Sequence, residues 1–347
     1  MIAALDATPL TVPTGGVMRY TLELARALAA NYAADEYWLL GDQPFDISSI
    51  GLVAANLHKG DGPRTAAERR WWLWGLEREM MRRKVELFHG TDFSVPYIPR
   101  RPSVITVHDL SPWLFPEGSN RVRRRVPVLL RARIPTMVVT PSEAVRRAAI
   151  ARFGLDQERV VTVPLAASSH FRFLEAAAPA RPYFLFVGTL EPRKNIARLI
   201  EAWREVRKSL DVDLVLAGRA RHDFSPPAPE PGLRILGAVP EEDLPALYSG
   251  AVACVYPSLY EGFGLPVLEA MQCGATVITS RDPAILEVSG GAAIHVEATD
   301  VRALAEAMRA RPRRREESLK RAALFSWTAT ARGTREVYDV ASRLFSK

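Results

Sequence analysis

The chain reads as an α/β protein built from two domains, each a doubly wound parallel sheet. Three observations predict this. At 347 residues the chain is long for a single core, and two domains of roughly 150–180 residues are expected. Short apolar runs alternate with helical patterns along its whole length, as they do where helices cover both faces of a parallel sheet. The alternation stops in a stretch rich in Ala, Ser and Pro between Pro164 and Pro182 and then starts again, which marks an inter-domain linker. A hydrophobic content of 48% suffices for two cores.

The first domain opens on an apolar strand, Ile2 to Leu5, followed by a loop ending in Gly15-Gly16. The helix after it carries Val17, Tyr20, Leu24 and Leu28 on one face. The glycine pair therefore lies where a strand hands over to a helix. It lacks the full G-x-G-x-x-G fingerprint, and an ordinary turn uses the same residues. Further strands are expected at Tyr37 to Leu40, Leu52 to Leu57, Val85 to His89, Val104 to Val107, Met137 to Thr140 and Val160 to Val163. Ser142 suits the N-cap of a helix that Gly154 stops. His89 and His108-Asp109 fall at strand ends, where such sheets bind ligands; a lone histidine there is equally a structural residue.

The second domain begins with the β-like run Tyr183 to Val187 and continues Gly188-Thr-Leu-Glu-Pro-Arg193-Lys194-Asn195. Asn195 suits the cap of a helix with Ile196, Leu199, Ile200, Trp203 and Val206 on one face. That leaves Arg193 and Lys194 between strand and helix, where paired cations can neutralise a diphosphate. Strands follow at Val212 to Ala217, Leu233 to Leu236, Ala251 to Tyr256, Ala275 to Thr279 and Ala292 to Val296. Gly218-Arg219 and Gly237 to Val239 close two of them.

The most informative stretch is Tyr256-Pro-Ser-Leu-Tyr-Glu261-Gly-Phe-Gly-Leu-Pro-Val-Leu-Glu269-Ala-Met-Gln-Cys-Gly274. It reads as the end of a strand, a loop and a helix, with Pro266 at the first helical position, Gly274 just past the last, and Glu269 in the first turn. Glu261 sits upstream among Gly262 and Gly264, whose missing side chains let backbone amides approach a ligand. Carboxylates accept bonds from hydroxyls and a helix N-terminus attracts phosphate, so a ligand carrying both would fit. The plainer reading is that Glu269 complements the helix dipole and the glycines make a turn.

The net charge of +7 and pI of about 9.6 favour an anionic partner. Nucleic acid is not expected, because neither a helix-turn-helix nor a zinc-finger pattern accompanies the charge. Arg69 to Lys84 mixes three tryptophans with cations, and Arg121 to Arg133 carries six arginines. Such stretches serve either a peripheral contact with an anionic membrane surface or a core face with solvated cations. With no run of eighteen apolar residues and no signal pattern, neither a spanning helix nor secretion is expected, which makes the chain cytoplasmic. Cys254 and Cys273 are expected as buried free thiols. Asp211-Val-Asp213 lies between helix and strand and reads as a solvated turn rather than a metal site.

The stretch 256–274 resembles the E-x7-E signature of retaining glycosyltransferase family 4, with both glutamates in place. Phe186-Val-Gly-Thr-Leu-Glu-Pro-Arg-Lys-Asn-Ile resembles that family's phosphate-binding segment, and Thr106-Val-His-Asp-Leu-Ser-Pro-Trp-Leu-Phe-Pro its first-domain motif. The resemblance covers nearly the whole chain. It implies the GT-B architecture, two Rossmann-like domains facing a deep cleft, here 1–168 with a returning helix at about 328–347, and 169–327. It implies a metal-independent, cofactor-free hexosyltransferase that moves a sugar from a nucleotide diphosphate to a glycan or polyprenyl-linked acceptor with retention, in polysaccharide or lipopolysaccharide biosynthesis. The first-domain segments resemble bacterial polysaccharide mannosyltransferases, which makes GDP-mannose the expected donor and the cytoplasmic face of the inner membrane the expected place.

Carried onto this sequence, the resemblance assigns catalysis to Glu261, His108, Arg193 and Lys194. Donor binding falls to these cations and Glu261 together with Gly15, Gly16, Gly262, Phe263, Gly264, Leu265, Glu269, Gly218 and Val239. Two rivals remain. One is a nucleotide-sugar 2-epimerase of the same architecture; the other, from a different class, is a catalytically silent sugar-nucleotide-binding or scaffold subunit, against which the intact Arg193-Lys194 and Glu261/Glu269 pairs argue.

Overall fold

The protein, described here from a computed structural model, is seen over residues 1–12, 15–46, 51–115, 120–175, 179–222 and 224–346. It divides into two compact units, Met1–Leu165 with Ser326–Lys347, and Ala166–Phe325.

Unit 1 holds seven parallel strands: β1 (Ile2–Asp6), β2 (Glu36–Leu40), β3 (Leu57–Lys59), β4 (Leu87–Gly90), β5 (Ser103–Thr106), β6 (Met137–Thr140) and β7 (Val160–Thr162), in the order β3-β2-β1-β4-β5-β6-β7. Leu5 pairs with Leu39 on one side and with His89 on the other. The order reverses between β1 and β4, the place beyond which doubly wound sheets bind their ligands. Every residue of β4, β5 and β6 is buried, which is why these strands read as continuous rather than alternating apolar runs.

The strand expected at 52–57 lies later, at Leu57–Lys59. The Asn56 side-chain amide donates to the carbonyls of Ala29, Tyr32 and Asp35 at 3.2, 3.2 and 3.0 Å. It thereby pins its own segment to the end of the helix Gly16–Asn31, so pairing begins one residue later. Leu52 is buried without being in a strand.

The tryptophan stretch is mostly core. Trp71 packs with Ala4, Leu40, Leu76, Met80, Val85 and Phe88, with Trp72 against them, and only Trp74 of the three is exposed. Gly75 is needed at the turn, since a Cβ there would lie 2.1 Å from the Glu68 carbonyl oxygen. Two of the stretch's cations are paired inward: Arg82 bonds the buried Glu68 and Glu79, and Arg83 bonds Glu79 at 2.9 Å, while Arg101 from outside the stretch bonds Glu77 at 2.6 Å. The helix Asn120–Arg131 buries Val126, Leu129 and Leu130 and presents Arg121, Arg123, Arg124 and Arg131 to solvent. Among the described residues no helix is long and apolar enough to cross a membrane.

The last helix, Trp327–Phe345, belongs to unit 1. Ser326 caps it by accepting from the Ala329 amide. Its Tyr338 hydroxyl lies 2.8 Å from His89 Nδ1, and Arg335 bonds Asp35 at 2.6 Å. Burial holds His89 neutral, pushing its pKa down to about 3.

Unit 2 holds six parallel strands: β8 (Tyr183–Val187), β9 (Asp213–Ala217), β10 (Leu233–Gly237), β11 (Ala253–Tyr256), β12 (Val277–Ser280) and β13 (Ile294–Val296), in the order β10-β9-β8-β11-β12-β13. The reversal falls between β8 and β11. Much of the expected linker is built into this unit. Ala166, Ala167 and Phe171 are buried, and the Gln272 amide donates to the carbonyls of Ser168 and Phe171 at 3.0 and 2.7 Å. Residues 176–178 of that stretch lie outside the described residues. Asp211 and Asp213 both pair with Arg181.

Candidate functional site

The site in unit 2 is assembled where β8 and β11 end. At the end of β8, Gly188 has φ 146°, and a Cβ on it would lie 2.7 Å from the Tyr256 hydroxyl. Gly218, past β9, has φ 148°, and its Cβ would lie 1.9 Å from the Gly188 carbonyl oxygen. Only glycine allows these two backbones to touch. The Gly188 amide donates to Ala217 at 2.8 Å and the Gly218 amide to Gly237 at 2.7 Å, tying three neighbouring strand ends together. Val239 follows two residues later, half-buried.

Beyond Gly188 the chain passes Glu191, makes the tight turn Pro192–Lys194 and enters the helix Ile196–Arg207. Asn195 stands at the helix start but makes no side-chain cap, contrary to the sequence reading, because its backbone is left-handed at φ 61°. Its amide instead donates to the carbonyls of Pro257 and Ala298 at 3.0 and 2.6 Å. It thus ties this turn to the loop after β11. The Leu259 amide donates to the Arg193 carbonyl at 2.8 Å, and Arg193 Nη1 donates to the Tyr260 carbonyl at 3.0 Å.

The loop after β11 ends at Gly264, left-handed at φ 95°, and the helix Leu265–Gln272 begins. Pro266 is its second residue and Glu269 its fifth, with no acidic residue in the first turn. The expected first-turn placement of Glu269 is therefore corrected, and with it goes the helix-dipole explanation, which reaches only the first turn. Glu269 is 1% exposed and accepts a bond from the Tyr248 hydroxyl at 3.1 Å. Phe263 and Leu265 are buried, Phe263 edge-on to Phe325.

Three of the residues singled out from sequence meet directly. Lys194 Nζ lies 2.5 Å from Glu261 Oε1, and Arg193 Nη1 lies 3.3 Å from Glu261 Oε2. Burial pushes the Glu261 carboxyl up, but Lys194 and Arg193 outweigh it and hold it below the usual carboxylate range. Burial also pushes the Lys194 ammonium down, against the pull of Glu261. Glu269 joins the group through Tyr256, whose phenol is raised by burial and then by both Glu261 and Glu269. The Tyr256 hydroxyl donates to the Val187 carbonyl, and Lys194 Nζ sits 5.7 Å over its ring.

Four supporting residues carry roles that the sequence reading did not assign. Glu191 pairs with Arg193 at 2.7 Å, and Arg221 pairs with Glu191. Asp282 caps the helix Pro283–Ser289 and accepts the Glu261 amide at 3.2 Å, which fixes the loop carrying Glu261. Tyr248 orients Glu269. The Asp-Pro pair at 282–283 is a legible helix start, but nothing in sequence says which amide the second carboxylate oxygen takes.

Gly15, Gly16 and His108 belong to unit 1. Gly15 precedes the helix Gly16–Asn31 at φ 142°, which demands glycine, whereas a Cβ on Gly16 would meet nothing within 4 Å. His108 Nε2 lies 2.6 Å from the Thr91 carbonyl. A carbonyl only accepts, so Nε2 carries the proton and Nδ1 of the neutral ring carries the lone pair. The Tyr20 and Phe93 rings pack edge-on to it. Pro116, at the end of the His108 segment, lies outside the described residues.

A buried lysine and a half-buried arginine beside a buried carboxylate, at the carboxyl ends of strands flanking a topological reversal, can bind an anionic ligand that also carries hydroxyls. Residues 14–170 match the domain described as glycosyltransferase family 4, and residues 181–311 the domain described as glycosyl transferases group 1. The chain is 32% identical over 335 residues to O-antigen chain mannosyltransferase B of Escherichia coli, covering 85% of this chain and 86% of that protein. Its fold is similar to sucrose-phosphate synthase from Thermosynechococcus elongatus, with a TM-score of 0.75 at 21% identity over 99% of both chains. It is also similar to Anabaena HepE in complex with UDP and glucose, with a TM-score of 0.74 at 16% identity over 97% of this chain and 99% of that one.

Proposed function

The chain belongs to the family 4 glycosyltransferases and has their GT-B fold, and from that premise we propose that it transfers mannose from GDP-mannose, with retention, to a growing glycan on a lipid carrier. Mannose is favoured because the Escherichia coli relative is an O-antigen chain mannosyltransferase. The observation that carries the donor site is the contact of Arg193 and Lys194 with the buried Glu261.

Breaking the bond from sugar to phosphate leaves negative charge on the departing diphosphate. Preorganised cations aimed at that charge act most strongly in a site shielded from water. Arg193 and Lys194 supply them, already oriented by Glu191, Tyr260 and Glu261. Glu261 accepts from a hydroxyl of the sugar and Glu269 from the ribose. The family resemblance adds His108 for a sugar hydroxyl and the Gly16 amide for a phosphate oxygen. The acceptor hydroxyl attacks from the face the diphosphate leaves, and a diphosphate oxygen removes its proton. That geometry yields retention without a dedicated protein base, metal or cofactor. The exposed arginines of the helix Asn120–Arg131 suit contact with the anionic membrane surface where such an acceptor resides.

The test supplies the purified enzyme with GDP-mannose, UDP-glucose and ADP-glucose in turn, with a lipid-linked glycan acceptor and a chelator. Acceptor-dependent GDP release and an α-linked product are expected from GDP-mannose. Transfer from another sugar nucleotide only would reassign the donor, and conversion of the donor without an acceptor would make the protein an epimerase.

A further inference from the structure

Glu191 is a buried carboxylate that holds two arginines at once. Its Oε1 lies 2.7 Å from Arg193 Nε and its Oε2 lies 2.7 Å from Arg221 Nη1. The Glu191 side chain is 6% exposed, that of Arg193 17% and that of Arg221 29%. The backbone explains why two loops meet here. Leu190 donates to the Arg219 carbonyl at 2.8 Å, and Arg221 donates to the Leu190 carbonyl at 3.0 Å. Leu190 and Ala220 form a parallel bridge. The pairing of β8 with β9 therefore resumes past Gly188 and Gly218, and it brings the two side chains to one carboxylate.

A carboxylate with a guanidinium on each oxygen holds the two cations close together. We propose that Arg221 is a further anion-binding residue of the donor site, taking a phosphate of the nucleoside diphosphate. Glu191 is the positioning residue that sets Arg193 and Arg221 side by side. This rests on the reading of unit 2 as the donor site. The planar fork of arginine can bond Glu191 with one edge and a phosphate oxygen with another, which a lysine ammonium cannot do with the same geometry. Arg221 also keeps the most exposed side chain of the three. Its contact is made alike to the bound donor and to the transition state, so its loss weakens binding and spares turnover. Glu191 acts through both arginines, so its loss lowers turnover as well as affinity.

The experiment measures GDP and UDP binding by calorimetry, and donor kcat and KM, for the wild type, R221Q, R221K and E191Q. The expected result is that R221Q weakens nucleoside diphosphate binding about tenfold and raises donor KM alike, with kcat held within about twofold. R221K falls between R221Q and the wild type. E191Q, by contrast, lowers kcat about tenfold or more and also raises KM. A folded R221Q that binds diphosphate as the wild type does overturns the proposal, as does an E191Q that changes KM alone. Should R221Q not fold, R221K decides: affinity weakened at least about threefold supports the role of the fork, and wild-type affinity overturns it. A wild type that binds neither diphosphate contradicts the donor reading itself, which is a different failure.

Discussion

Lys194 donates to Glu261 across 2.5 Å while Arg193 bonds the other oxygen of the same carboxylate. The two cations assigned to a diphosphate already hold an anion. A bound diphosphate must share them with Glu261, and the same competition favours release of the diphosphate product. Glu261→Gln, which keeps the shape and removes the charge, is expected to bind GDP roughly tenfold more tightly while transferring sugar more slowly. Calorimetry and steady-state rates check both halves. Weaker GDP binding by E261Q would show that the carboxylate supports the cations rather than competing for them.

The same contact sets a stability asymmetry. Lys194 and Glu261 are both buried, but Glu261 also bonds Arg193, so it is removal of Glu261 that strips a buried charge of its partner, at a cost of about 3–5 kcal/mol. Glu261→Leu is expected to destabilise unit 2 on that scale, adding Lys194→Met to recover much of it, and Lys194→Met alone to cost less because Arg193 still holds the carboxylate. Because the Glu261 carboxyl is held below its usual range, its contribution is present above the unfolded pKa and lost as pH falls through the lower, folded one. Chemical unfolding of the single and double variants at neutral pH measures the difference.

The glycines separate fold from function. Gly218→Ala places a Cβ 1.9 Å from the Gly188 carbonyl and is expected to lower the melting temperature. Gly16→Ala meets nothing within 4 Å, so its stability should match the wild type. Any loss of activity at Gly16 then reports the donor. Melting curves beside transfer assays distinguish the two, and a destabilised G16A would refute the assignment.

Asp6 offers a pH test in unit 1. Burial raises its pKa to about 7, against the pull of its bonds from Thr8 and helped by Asp92 and Asp42. Between the unfolded pKa near 3.8 and about 7, the folded state keeps a proton that the unfolded state has lost. Stability therefore falls as pH rises through that window and levels off above it, by on the order of 4 kcal/mol at most. Asp6→Asn mimics the protonated acid and can still accept from Thr8. It is expected to exceed the wild type in stability at pH 8 and to match it near pH 4. Intrinsic fluorescence follows this unit well, since every tryptophan but Trp203 belongs to it.

Both sheets were legible in the sequence because buried parallel strands read as short apolar runs: β4, β5, β6 and β8 are buried at every residue. Leu52 misled because an apolar run fills a core as well from a loop as from a strand, and Asn56 decided the register by bonds to carbonyls more than twenty residues away. Arg193, Lys194 and Glu261 stood out because chemistry-bearing residues cluster at strand ends. Asn195 was mistaken for a cap because its left-handed backbone has no local signature. Glu191, Arg221, Tyr248 and Asp282 were not assigned roles for a related reason. Arg221, Tyr248 and Asp282 meet Glu191, Glu269 and Glu261 from more than twenty residues away, and Glu191, though close to Arg193 in sequence, is brought to Arg221 only by the fold.

The central claim is that Arg193 stabilises charge on the departing diphosphate. The most direct measurement compares donor affinity and turnover of Arg193→Ala with the wild type, using GDP-mannose and a lipid-linked acceptor. Turnover is expected to fall about a hundredfold or more while donor binding weakens far less. Undiminished turnover in a folded R193A would contradict that role.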